Sequence, residues 1–259
     1  MGMLESILIR LGIAGAVQSI RIARKKSIRD RIIAQFRRKR RILVLGTSGV
    51  GKSVFVETLY KELVRPIPGA NRDTFTHEVS FPREDLPLVL VDTPGQELAF
   101  PERDKAYKDA IKDGVVGIIN VVCFGYHEGS ISGNETQALD ATLQPRSEYL
   151  AIRREEEIKR LGEWVKLVDS RSAKWVITLV TKADLWYGDY ETVMEYYCKG
   201  EYSKALGDLP GRIYHTVIPY CSIIEPFYKH WGSGKLGNEQ KEELQTHFEK
   251  ELLRALRRK

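Results

Sequence analysis

Three glycines at positions 46, 49 and 51 lead into Lys52 and Ser53, in the stretch Gly46-Thr47-Ser48-Gly49-Val50-Gly51-Lys52-Ser53. The spacing is G-x-x-x-x-G-K-[ST], and its chemistry is that of a phosphate cradle. Glycines let the backbone curl until several N–H groups point inward, and the start of a following helix adds partial positive charge through its first turn, here Ser53 and Val54. Lys52 would reach the β- and γ-phosphates, and the Ser53 hydroxyl would ligate Mg²⁺. The alternative is a glycine turn that happens to end in Lys-Ser. Context separates the two: the motif needs a strand before it and a helix after it. The apolar run "RILVLG" (41–46) and the segment from Lys52 to about Val64 supply both.

Two later segments bear on which nucleotide such a loop would hold. In "VLVDTPGQE", Asp92 ends an apolar run, where a carboxylate can hold Mg²⁺ through water. Gly95 can offer a backbone N–H to a γ-phosphate and swing away when that phosphate is lost. In "LVTKADL", Thr181, Lys182 and Asp184 follow another apolar run. An aspartate there can accept both the N1–H and the N2–H of guanine. Adenine lacks both donors and would leave a buried carboxylate unpaired, so such a site discriminates strongly. Lys182 would lay its aliphatic stem along the base.

The elements that must position these residues follow from the apolar pattern. Strand-like and helix-like segments alternate after residue 40, which predicts a mostly parallel six-stranded sheet with helices on both faces, an α/β fold. The predicted strands are 41–46, 77–81, 86–92, 115–122, 174–180 and 213–220; the predicted helices are 52–64, 101–112, 148–169, 189–205 and 238–257. Leu244, Phe248, Leu252 and Leu256 recur at fourfold spacing in the last helix. Residues 124–147 are polar and without clear period, and read as an extended loop that is a partner surface, a lid or a plain surface insertion. Its first part carries Tyr126, His127 and Glu128 close to the nucleotide face. The domain reading is an N-terminal arm, 1–40, followed by one domain, 41–259.

The arm is set apart by charge. Residues 1–41 hold twelve Lys and Arg against Glu5 and Asp30, while the rest of the chain holds 29 basic side chains against 33 acidic ones. A basic arm on a mildly acidic domain points to an anionic partner, a lipid headgroup layer or nucleic acid, or else to a solubilising tail. Ile28, Ile32, Ile33 and Phe36 fall on one face of a short basic amphipathic helix. The apolar stretch 7–20 contains Arg10 and is too short on either side of it to span a bilayer. Positive charge follows this stretch instead of preceding it, which argues against a signal peptide. "MGMLES" fits the short N-myristoylation pattern, which matters only in a eukaryotic setting. Cys123, Cys198 and Cys221 share no metal-ligand spacing and the five histidines form no close pair. The expectation is therefore a cytoplasmic chain, peripheral at a membrane, without disulfides or a structural metal.

Phosphate loop, Asp92–Gly95 and Thr181–Asp184, in that order and each at the end of a predicted strand, together resemble the small GTPase domains of the translation-factor-related, Ras- and Era-like class, over about residues 41–257. The resemblance implies GTP and GDP as ligands, Mg²⁺ as cofactor, and hydrolysis that is slow without an activating partner. It implies that Gln96, directly after Gly95, orients the attacking water. A switch threonine on Mg²⁺ should lie before the second long strand; Thr74 and Thr76 are the candidates, and Thr76, abutting the strand, is preferred. Arg72 is close enough in sequence to serve as an internal arginine finger, or is a solvated loop residue. The base-backing element of the family is matched only loosely, by Cys221-Ser222. The loops 65–77 and 95–101 would be the switch elements and the surface for an effector or activating protein. Three functions stay open on this basis: a switch docked on a membrane or membrane-bound partner through residues 1–40, an Era-like RNA- or ribosome-associated GTPase, and a GTP-binding interaction subunit with little hydrolysis.

Overall fold

The computed structural model describes residues 40–63, 65–66, 76–81, 86–92, 115–128, 134–166, 168 and 173–258. The arm, Thr74, Arg72, Gly95, Gln96, the predicted helix 101–112 and most of the two predicted switch loops lie outside these residues.

The strands are β1 Arg40–Leu45, β2 Arg65–Pro66, β3 Thr76–Phe81, β4 Leu86–Asp92, β5 Val115–Val122, β6 Trp175–Val180 and β7 Tyr214–Pro219. They form one sheet in the order β2-β3-β4-β1-β5-β6-β7. β4, β1, β5, β6 and β7 run parallel, while β3 and β2 add an antiparallel edge. The sheet is mostly parallel as predicted, but among the described residues it has seven strands where six were expected. The seventh, β2, is a two-residue pairing of Arg65 and Pro66 with Ser80 and Val79. Two residues carry no period, and proline is tolerated there because the strand is at the edge.

Among the described residues the helices are α1 Lys52–Leu63, α2 Asn134–Ala138, α3 Ser147–Val165, α4 Ala183–Trp186, α5 Tyr190–Cys198, α6 Glu201–Ala205 and α7 Asn238–Leu256. α7 buries the fourfold series Leu244, Phe248, Leu252 and Leu256. Phe248 meets Phe55 of α1 and Tyr220, just past β7, in edge-on contacts with ring centroids 5.3–5.4 Å apart. Each such ring contributes about 1.5–3 kcal/mol by leaving water, so this trio holds α1 and α7 against the end of β7. The expected single helix 189–205 is two helices, α5 and α6. The N–H of Gly200 closes α5 on the carbonyls of Glu195 and Tyr196 at 2.9 and 3.1 Å. A Cβ at that position would lie 2.6 Å from the Tyr196 oxygen, so only glycine permits this tight stop.

β6 is buried along its whole length, as a strand flanked by parallel neighbours should be. Its Trp175 lies opposite Gly117 of β5. A Cβ on Gly117 would fall 2.0–2.2 Å from atoms of the indole ring, so the missing side chain on one strand is the space filled by the ring of the next. The sheet therefore presents the ends of β1, β5, β6 and β7 side by side. Arg40 enters it at the end opposite Gly46.

Candidate functional site

The loop after β1 turns on three glycines with positive φ: Gly46 (+153°), Gly49 (+80°) and Gly51 (+85°). At two of them the missing side chain also makes room. A Cβ on Gly46 would approach the Val121 carbonyl oxygen of β5 to 2.7 Å, and one on Gly49 would approach the Glu128 carbonyl oxygen to 2.5 Å. Phe55 N–H donates to the Gly51 carbonyl at 2.8 Å, so the helical ladder of α1 begins directly at the loop. Thr47, Ser48, Gly49, Gly51, Lys52, Ser53 and Val54 line one side of a cavity of about 410 Å³. Val50 is buried beneath it.

Thr181, Lys182, Asp184, Leu185, Ser222, Ile223 and Glu225 line the other side, with Glu128 completing the wall. Thr181 ties the two sides together. Its N–H donates to Val122 O at 2.7 Å. Its hydroxyl lies 2.5 Å from Val50 O and 2.9 Å from Val122 O, so one hydrogen bridges the phosphate-loop backbone and the end of β5. Trp186 Nε1 caps the Thr181 carbonyl at 2.7 Å. Lys182 takes a left-handed backbone (φ 55°) that turns the chain sharply from β6 into α4. Its ammonium pairs with the Glu128 carboxylate.

Asp184 is buried, and its oxygens are already oriented: Oδ2 accepts the Glu225 N–H at 3.0 Å, and Oδ1 faces the Cys221 thiol at 3.5 Å. Burial raises its pKa above the ordinary aspartate value, and those two donors work against the rise. A carboxylate so placed gains strongly from any ligand bringing two further N–H donors. The Cys221 thiol lies closer to Ile223 O (3.0 Å), and Gln245 Nε2 of α7 holds Cys221 O at 3.0 Å. Thus Cys221 backs Asp184 from inside, while Ser222 is the member of the pair that reaches the cavity.

Asp92 and Thr76 are placed through their backbones. Asp92 ends β4 in register with Val44, two residues before Gly46, and Thr76 opens β3 in register with Val91. Both therefore stand at the same end of the sheet as the phosphate loop. Gly95 and Gln96 are outside the described residues.

The segment 124–147 is not a plain surface loop. Residues 123–127 enter the interior, and further along the segment α2 and a bridge between Leu139 and Pro145 give it regular structure. Glu157 of α3, itself buried, accepts Cys123 N–H at 2.8 Å and the Tyr197 hydroxyl at 2.6 Å. Burial pushes its pKa up to about 7. His127 Nε2 lies 2.7 Å from the Thr47 hydroxyl and Nδ1 lies 3.6 Å from Cys123 Sγ. Burial holds His127 down to about 3, so the ring is neutral and links the phosphate loop to the protein interior by hydrogen bonding alone. Cys123, His127 and Glu157, scattered in sequence, bring their ligand-type atoms within 4.8 Å of one another. Each already serves the hydrogen bonds just named. Sequence reasoning put Glu128 near this face without a role; it did not find Tyr228, whose N–H donates to the Glu128 carboxylate at 2.7 Å, or Tyr149, whose hydroxyl donates to the His127 carbonyl at 2.7 Å. The sequence signals for the segment are its length, its lack of a clear period and its position after β5.

A family model described as 50S ribosome-binding GTPase matches residues 41–169, which include the phosphate loop and Asp92 but stop before Thr181. Among solved structures the chain is similar to a GTP-binding protein from the hyperthermophilic archaeon Sulfolobus solfataricus in complex with GDP, with 15% identity over 85% of this chain and a TM-score of 0.42. The chain spans 58% of the length of that protein. It is also similar to the G domain of the T. maritima FeoB iron transporter, with 18% identity over 80% of this chain and 97% of that one and a TM-score of 0.33. No curated protein matches it. The family match begins at the first residues of β1 and runs through the glycine loop that lines the cavity, and the chain accordingly belongs to this family of P-loop GTPases.

Proposed function

We propose that the chain is a molecular switch that cycles between GTP and GDP and docks on an anionic membrane, or a membrane-bound partner, through residues 1–40. One observation carries the guanine reading: Asp184 and the Gly46–Ser53 loop face a single cavity, joined by the Thr181 hydroxyl. In this reading Gly46 to Val54 hold the phosphates, with Lys52 neutralising charge between the β- and γ-groups. Thr181, Lys182, Asp184, Cys221 and Ser222 hold the base. Mg²⁺ would be held by Ser53, which lines the cavity, and by Asp92 and Thr76, whose backbones end β4 beside β1 and open β3 in register with Val91. A hard cation on hydroxyl, carboxylate and phosphate oxygens is the usual chemistry of such a set, and it neutralises phosphate charge when bound. Gly95 and the loops 65–77 and 95–101 respond to the γ-phosphate and present the surface for an effector or activating protein. Gln96 orients the water. Without a supplied arginine, hydrolysis is slow, since such a residue is worth about 10³–10⁵ in rate.

Docking rests on the charge balance between arm and domain. Among the described residues no helix is long and apolar enough to cross a membrane, so attachment in this reading is through surface charge and the amphipathic face of 28–37. A second reading has specific support: the matching family model is described as ribosome-binding, and the same arm would neutralise RNA phosphates.

Co-sedimentation of the full chain and of a chain lacking residues 1–40, with anionic vesicles and separately with ribosomes, decides between them. Arm-dependent pelleting with vesicles supports the membrane reading, and pelleting with ribosomes replaces it. For the base, Asp184→Asn should move preference from guanine towards xanthine nucleotides. An unchanged preference removes Asp184 from base recognition.

A further inference from the structure

In the guanine-nucleotide reading, phosphates at one end of the cavity and base at the other leave the sugar in between, and Glu128 is the lining carboxylate that bonds to both sides. Glu128 is joined to both ends. Its N–H donates to Gly49 O at 3.2 Å, at the apex of the phosphate loop. Its carboxylate pairs with Lys182 through Oε2 and accepts the Tyr228 N–H at 2.7 Å through Oε1. The side chain is about one-third exposed (36%) and lines the cavity wall.

A carboxylate beside an anionic ligand needs a reason to be tolerated, and the Lys182 pairing provides one by neutralising its charge. An ionised carboxylate has about four acceptor positions, so the two named bonds leave acceptor capacity on a side chain that lines the cavity. Phosphate oxygens offer no donor to satisfy it, and the base edge is served by Asp184. Ribose hydroxyls are the donors that fall between. The residue is also held firmly: the Tyr149 hydroxyl donates to the carbonyl of neighbouring His127 at 2.7 Å, and the Tyr228 N–H fixes the carboxylate itself. Positions fixed in this way can discriminate a ligand by a single hydroxyl.

We propose that Glu128 accepts a hydrogen bond from a ribose hydroxyl and makes the cavity selective for ribonucleotides over deoxyribonucleotides. This rests on the guanine-nucleotide reading above. Glu128 is thereby a specificity-determining residue supplied by the segment after β5.

Equilibrium titration of the full chain with GDP, 2′-deoxy-GDP and 3′-deoxy-GDP tests it. The wild-type chain should bind at least one deoxy analogue about tenfold or more weakly than GDP, the scale of a hydrogen bond to a charged acceptor. In Glu128→Ala that ratio should collapse to within about twofold, whatever happens to GDP affinity itself. A purely structural Glu128 would weaken all three ligands alike and leave the ratio standing. Should the alanine chain fail to fold, Glu128→Gln keeps the shape and should cut the ratio at least about threefold, because a neutral acceptor is weaker. Equal binding of all three by the wild-type chain overturns the proposal, as does a ratio that survives the substitution. If GDP does not bind at all, the guanine reading falls with it; normal GDP binding without sugar discrimination refutes Glu128 alone.

Discussion

Glu157 allows a quantitative test of how the interior beside the phosphate loop is held. It is buried with Cys123 N–H and the Tyr197 hydroxyl as donors, and burial still lifts its pKa from 4.5 to about 7. The folded state thus holds the proton more tightly than the unfolded chain. The resulting stability is present in full below about pH 4.5 and is lost as pH rises through about 7. Between about pH 5 and pH 8 the loss is roughly 2–3 kcal/mol, at 1.36 kcal/mol per unit. Glu157→Gln cannot titrate, yet it keeps an oxygen to accept the Cys123 N–H. The stability of the glutamine chain relative to wild type should therefore rise by roughly 2–3 kcal/mol from about pH 5 to pH 8. His127 lies 3.8 Å from Glu157 and has its pKa lowered, so its own contribution is lost in the other direction, as pH falls from 6.5 towards about 3. That contribution is present in both chains and cancels to first order in the difference. Urea denaturation followed by tryptophan fluorescence at several pH values measures the gap. A gap constant to within about 0.5 kcal/mol across the range would refute the reasoning, because the carboxyl would then not be titrating inside the fold.

Two further substitutions probe the cavity. Gly49→Ala places a methyl 2.5 Å from the Glu128 carbonyl oxygen at φ +80°; we expect a stability loss of about 2 kcal/mol or more and at least tenfold weaker GDP binding, measured by thermal melting and titration. Thr181→Val removes the hydroxyl that reaches Val50 O. Leaving that buried carbonyl short of a donor should cost about 1–3 kcal/mol in urea denaturation and weaken GDP binding about fivefold or more.

Much of the domain is legible without coordinates, and the particulars show why. β4 and β5 are the predicted ranges to the residue, and β1, β3, β6, β7, α1 and α7 lie within a residue or so of theirs. Strongly apolar runs and a strict fourfold repeat leave little choice of secondary structure. The misses share a different cause. β2 is too short to carry a period, and the α5–α6 break depends on the crowding of one glycine against Tyr196. The start of 124–147 can be buried despite its polar groups because partners far along the chain satisfy them, among them Glu157, Tyr149 and Tyr228.

The same division runs through the site. The amino-acid sequence alone determined that a phosphate loop exists and that a Thr-Lys-x-Asp segment follows a later strand, because both depend on local residue types and spacing. It could not place Glu128 against Gly49, seat Cys221 under Asp184, or join the end of β6 to the phosphate loop with the Thr181 hydroxyl. Those contacts join residues 37 to 131 positions apart. They exist only because the parallel sheet aligns the ends of β1, β5, β6 and β7, so that hydrogen bonds between distant segments close a cavity that no single segment encodes.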